Sequence, residues 1–155
     1  MSDQLFAWGN TTKLGVGDHT WVTSSSDGTA KPTDGNVEYW YCWGVHHSSA
    51  EQLGMSTSGA SFARKVAKPN DPSEDVGIKY GIDGLCHQMA NRLLRFTNDD
   101  DTGKPIKVSR ASGYQLSIAM YGEYGGTKLT PAGKLRLRKW ERIVDNFQRQ
   151  LESNK

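Results

Sequence analysis

The sequence predicts an α+β protein: a small antiparallel sheet, a helix bearing Cys86 packed on it, and a long amphipathic C-terminal helix. Three observations carry the prediction. Segments with apolar residues at every second position and segments with a helical repeat are separated along the chain. That argues against a doubly wound parallel sheet, in which they alternate. Seventeen glycines among 155 residues call for many tight turns, more than a helical bundle uses. The stretch from about Pro131 to Glu152 repeats Leu137, Trp140, Val144, Phe147 and Leu151 at steps of three and four.

Taken in order, Leu5 to Trp8 is a short apolar run expected to be an edge strand. His19 to Ser24 (HTWVTS) is rich in β-branched and aromatic residues and reads as a strand, entered through Gly15-Val16-Gly17-Asp18. Ser25 to Asn36 is a cluster of turn formers, hairpin-like. Val37 to Val45 (VEYWYCWGV) reads as a second strand, and its aromatics at both parities predict that both faces are covered. Between Ser48 and Asp83 only Ala60 to Val66, as one or two helical turns, and a loop over Lys68 to Asp75 stand out. Gly84 to Phe96 has helical spacing, with Leu85, Met89, Leu93 and Phe96 on one stripe and Asp83 as its expected N-cap. Asn98 to Gly103 ends it. Gly113 to Tyr124 (GYQLSIAMYGEY) partly alternates and reads as strand. Thr130 and Pro131 then supply the N-cap and first residue of the last helix.

Composition bounds the function. One domain of ordinary size accounts for the length. Mean hydropathy is −0.66 and no apolar run approaches the roughly 20 residues of a membrane span, so an integral membrane protein is excluded as a reading. Nineteen basic against 17 acidic residues give a formal charge of +2, too balanced to point to nucleic acid as the main partner. Met1 to Trp8 has neither the basic nor the apolar region of a secretory signal. The expectation is synthesis in the cytoplasm without a cleavable signal, any export following a signal-independent route. The two cysteines, Cys42 and Cys86, sit in unlike contexts and are read as thiols.

The strongest chemical constellation is Cys86 with His19. Cys86 falls in the first turn of its helix, where unpaired N–H groups and the peptide dipoles favour a thiolate and can hold an oxyanion. His19, on a strand after a glycine-rich turn, is held rigidly enough to serve as base and then acid. The plainer reading makes Cys86 a small core residue and His19 a surface or capping residue.

Gly17-Asp18-His19-Thr20-Trp21-Val22 resembles the histidine strand of circularly permuted papain-like hydrolases, and Gly84-Leu85-Cys86-His87-Gln88-Met89-Ala90-Asn91-Arg92 resembles their cysteine helix. This is the permuted NlpC-like branch, which includes relatives of lecithin:retinol acyltransferase. The order, histidine before cysteine, matches that branch and reverses papain's. The resemblance spans about residues 15 to 96. It departs from the family pattern at Asp18, which directly precedes His19 with no spacer. It implies a permuted papain-like fold, a cysteine amidase or peptidase without cofactor, and amide bonds of peptidoglycan peptides as the commonest substrate, acyl-lipid chemistry coming next. By analogy, a small chain of this kind suits an antibacterial effector with an inhibitor (immunity) protein as partner.

A third group should orient the catalytic imidazole. His46, at the exit of the strand after the histidine strand, is the first choice, with His47, Glu38 and Asp27 as rivals; His46-His47 as a simple polar strand exit is the competing reading. His87 diverges from Cys86 by about 100° around the helix, so its backbone N–H is its expected contribution, at the oxyanion. Tyr80 could donate a hydrogen bond near the site or simply pack. Gln88 and Asn91 are expected to cap or bridge buried groups. Cys42, His46, His47 and Cys86 have the ligand types for zinc but not the paired spacing, so no metal is assigned. The alternative function is a non-catalytic module holding a glycan or peptide on the Tyr39-Trp40-Tyr41-Cys42-Trp43 strand, although a buried strand explains those aromatics more simply. The basic face of the last helix (Lys134, Arg136, Arg138, Lys139, Arg142) reads as solvated, with an acidic polymer as its other possible contact.

Overall fold

In the computed structural model the described residues are 3–11, 17–29, 37–41, 49–56, 58–71, 76–98, 102–126 and 130–154. They form strands β1 (Phe6–Thr11), β2 (Asp18–Thr23), β3 (Tyr39–Trp40) and β4 (Glu51–Met55), then helices α1 (Ala60–Val66), α2 (Cys86–Leu93), α3 (Tyr114–Tyr121) and α4 (Pro131–Ser153). The strands make an open antiparallel sheet in the order β3-β2-β1-β4. The architecture is thus α+β, with α2 packed on β2. No described helix is long and apolar enough to cross a membrane.

Leu5 to Trp8 does not form an edge strand. β1 is paired on both sides, Trp8 opposite Trp21 of β2 and Gln52 of β4. The physical reason is visible in the run itself. Leu5 and Ala7 point into the main core, while Phe6 and Trp8 enter a second cluster with Trp21, Tyr39 and Tyr41 on the other face. A strand covered on both faces wants apolar residues at consecutive positions. The edges are β3 and β4, and the sequence carries no strand signal for β4, where only Leu53 of EQLGM is buried. Of the expected strand Val37 to Val45, the ladder takes Tyr39–Trp40; residues 42–48 lie outside the described part. Trp40 faces the main core and Tyr39 and Tyr41 the second cluster, so the aromatics at both parities do cover both faces.

The segment Gly113 to Tyr124 is a helix, not a strand. Tyr114, Ser117 and Tyr121 are buried, a helical three-and-four spacing. Gly113 (φ +82°) and Gly122 (φ +80°) bracket it in backbone conformations that favour glycine. Because apolar residues lie all round α3, its pattern satisfies either period.

α4 begins as expected: Thr130 Oγ1 accepts from the N–H of Gly133 at 2.9 Å, with Pro131 following. Trp140 and Val144 are buried and Leu137, Ile143 and Phe147 pack against the core, but Leu151 is exposed, so docking ends before the helix does. α2 differs from a one-sided stripe in that all eight of its residues are buried. Its polar side chains find partners individually, as burial requires, except that Arg92 Nη2 has no hydrogen-bond partner among the described residues. Gln88 Nε2 donates to the carbonyl of Gly122, and Asn91 Nδ2 to that of Glu123. Arg92 donates from Nε to Tyr124 O and from a terminal nitrogen to Val76 O, and lies 4.7 Å from the centre of the Trp140 ring. Burial lowers the Arg92 pKa to about 10.

Asp83 is not the N-cap of α2. That position is Leu85, whose N–H donates to Gln88 Oε1 at 2.9 Å. The Asp83 side chain, 1% exposed, instead receives Arg136 Nη2 at 2.9 Å and the Lys79 N–H at 2.8 Å. Burial pushes its pKa up, but the hydrogen bonds from Arg136 and the Lys79 amide, with the charges of Arg136 and Arg92, outweigh this and hold the carboxyl below its ordinary value. One residue of the basic face of α4 is therefore a tether to the turn that launches α2.

Candidate functional site

The site forms where β2, α2 and α3 begin. Gly17 takes φ +118°, and a Cβ there would lie 3.2 Å from the Ser112 carbonyl, so glycine is needed at this approach. Asp18 and Ser112 then exchange hydrogen bonds. Asp18 N donates to Ser112 O at 2.9 Å and Ser112 N to Asp18 Oδ2 at 3.0 Å. This pair fixes the start of β2 beside the start of α3. His19 follows, nearly buried, its ring stacked on Trp21 at 5.6 Å.

Cys86 is the first residue of α2, so it occupies the turn whose N–H groups have no acceptor within a helix. Its Sγ–H points to the Asp18 carbonyl at 3.8 Å, the oxygen of the peptide that joins Asp18 to His19. Cys86 and His19 both line one cavity of about 180 Å³, together with Asp18, His87 and Ser117. The structure therefore brings the two principal residues of the sequence reading to the same pocket. Tyr80 lines it too, 40% exposed at the rim and not packed away.

The ring of His87 also enters the site, where the sequence predicts only its backbone N–H. Nε2 lies 2.9 Å from the Asp18 carbonyl, and since a carbonyl only accepts, Nε2 carries the hydrogen. Nδ1 lies 3.1 Å from Ser117 Oγ. That hydroxyl also lies 2.7 Å from Tyr114 O, a second acceptor for its one hydrogen, and receives Gln88 Nε2 at 3.2 Å. Two neighbouring residues of α2 thus converge on one carbonyl of β2, which holds the cysteine helix and the histidine strand in register. Ser117, together with Leu116 and Met120 at the rim, lies in the segment whose sequence reads as strand, so the sequence carries no signal for it.

His46 and His47 lie outside the described residues, as do Cys42 and Trp43. The other two rivals for the orienting role are engaged elsewhere. Glu38 is bound by Arg64 at 2.7 Å, and that hydrogen bond holds its carboxyl below the ordinary range. Asp27 Oδ1 accepts from the N–H of Thr29 at 2.9 Å within a turn. Neither lines the cavity. Among the described residues no group of three or more His, Cys, Asp or Glu could hold a metal ion. The described part of the aromatic strand is core: Tyr39, Trp40 and Tyr41 are all buried, and Trp40 Nε1 donates to Ala67 O at 2.9 Å. Comparison of the chain with protein-family models, with curated proteins and with solved structures finds no match.

Proposed function

We propose that the protein is a thiol-dependent amide hydrolase in which Cys86 is the nucleophile and His19 the general base. The observation that carries this is the placement of Cys86 in the first turn of α2, facing the cavity that His19 also lines. Cys86 loses its proton to His19 and its sulfur attacks the carbonyl, forming a tetrahedral oxyanion held by first-turn N–H groups of α2, that of His87 among them. The C–N bond breaks as His19 returns the proton to the leaving amine. Water then attacks the thioester, His19 takes its proton, and the acid leaves with the thiol restored. His46 is the proposed orienting group for the His19 ring. Peptide amides of peptidoglycan are the proposed substrate, on the strength of the family resemblance. Signal-independent delivery as an antibacterial effector, with an inhibitor protein as partner, belongs to the same reading.

The test is incubation with purified peptidoglycan followed by mass analysis of the released muropeptides. The wild type should release new fragments. Cys86→Ala and His19→Ala should release none while melting within a few degrees of the wild type, and His46→Ala should only slow the release. Full release by Cys86→Ala would overturn the assignment.

A further inference from the structure

We infer that Tyr80, Leu85, Leu116 and Met120 form a subsite for an aliphatic group beside the carbonyl that Cys86 attacks. The inference rests on the thiol-hydrolase reading and names the substrate chemistry of that site. α3 buries Tyr114, Ser117 and Tyr121. Leu116 and Met120, four residues apart, lie one above the other on the helix. They are 68% and 45% exposed, where a surface helix ordinarily carries polar side chains. Tyr80 adds a third exposed apolar surface from the turn before α2.

Six large hydrophobic side chains are exposed among the described residues, and three of them line this one cavity. Singly scattered exposed apolar residues need no explanation, but a cluster around a pocket with polar groups beneath it marks a ligand contact. The polar groups include Cys86, His19 and His87, which would fix the reacting carbonyl, with Asp18 and Ser117 beside them. No Lys or Arg is among the described residues that line the cavity, and Asp18 is among them, so a carboxylate on the substrate beside the scissile bond finds no lysine or arginine partner in that set. Amide bonds flanked by an aliphatic residue are therefore favoured over those flanked by an acidic one.

The cavity of about 180 Å³ is small beside the roughly 300–1,000 Å³ of pockets that enclose drug-sized ligands. A short side chain fits. A fatty acyl chain would have to run out along the exposed face of α3.

The experiment alkylates the full-length protein with N-methyl-, N-butyl- and N-dodecyl-iodoacetamide, Cys86 being resolved from Cys42 by peptide mass mapping. Rates are divided by those of glutathione with the same reagents. At pH 8.5 an ordinary thiol is about half ionised, so the series is readable whether or not Cys86 is activated. A buried methylene is worth about a fourfold gain, and over a half-open rim the expected rise from methyl to butyl is about tenfold. The rise should flatten in the double variant Leu116→Ser, Met120→Ser, whose exposed positions leave the fold intact. A flat series in the wild type, or one unchanged in the double variant, overturns the subsite. A plateau beyond butyl supports a short side chain as the source; a rise continuing to dodecyl overturns the short chain in favour of a fatty acyl group. Labelling at pH 6 reports the hydrolase reading separately. If Cys86 reacts no faster than glutathione there, that reading fails while the chain-length series still decides the subsite.

Discussion

Asp83→Asn should destabilise the protein by about 2 kcal/mol at pH 7 and by clearly less at pH 3. Asp83 is 1% exposed and Arg136, its partner, 33%. Breaking a fully buried pair costs about 3–5 kcal/mol, and an exposed pair contributes about 1 or less. With one partner open to solvent, roughly 2 kcal/mol is the expected loss. Asparagine keeps the shape and can still accept the Lys79 N–H, so the change isolates the charge. For a domain of this size that loss lowers Tm by about 4–8 °C. The pH dependence has a definite sign. The folded pKa of Asp83 lies below its ordinary value, so the wild-type advantage is complete above the unfolded pKa, near 3.9, and is lost as pH falls through the folded one. Other carboxylates titrate in both proteins and cancel in the difference. Scanning calorimetry of both proteins at pH 7 and at pH 3 measures it. A gap of the same size at the two pH values, or no gap at pH 7, would refute the ion pair as the source.

Trp140→Ala should cost roughly 3–5 kcal/mol, because the indole is buried against Tyr124 at 5.2 Å and over the buried Arg92 guanidinium. Urea unfolding reads this, and an unchanged midpoint would show that α4 does not dock by that face. His87→Ala should slow hydrolysis by up to about 100-fold, since it releases the carbonyl that holds the histidine strand beside Cys86. His87→Gln, which restores an N–H donor, should recover part of the rate. Recovery of stability without recovery of rate would refute the positioning role.

The elements legible in the sequence are those whose causes are local. The start of α4 needs only Thr130 and Pro131, and its core face only the spacing of Leu137, Trp140 and Val144. β2 was legible from its β-branched and aromatic run, and α2 from its helical spacing. The orders His19 before Cys86 and Cys86 at a helix start were likewise readable along the chain. What tertiary structure decided are the matters whose partners lie far away. Asp83 looks like a cap next to α2 and becomes a tether because Arg136 arrives from 53 residues along. β1 becomes a central strand only because β4, polar in sequence, pairs its second edge. α3, apolar on every side, carries no decisive period, and packing of Tyr114, Ser117 and Tyr121 chooses the helix. The pocket itself depends on that choice. Cys86 meets the Asp18 carbonyl across 68 residues and His87 meets Ser117 across 30, so no local pattern could have shown the ring of His87 at work or the apolar rim above it. Side-chain spacing along a chain encodes which face a residue occupies, whereas which faces meet is settled only when the whole core closes.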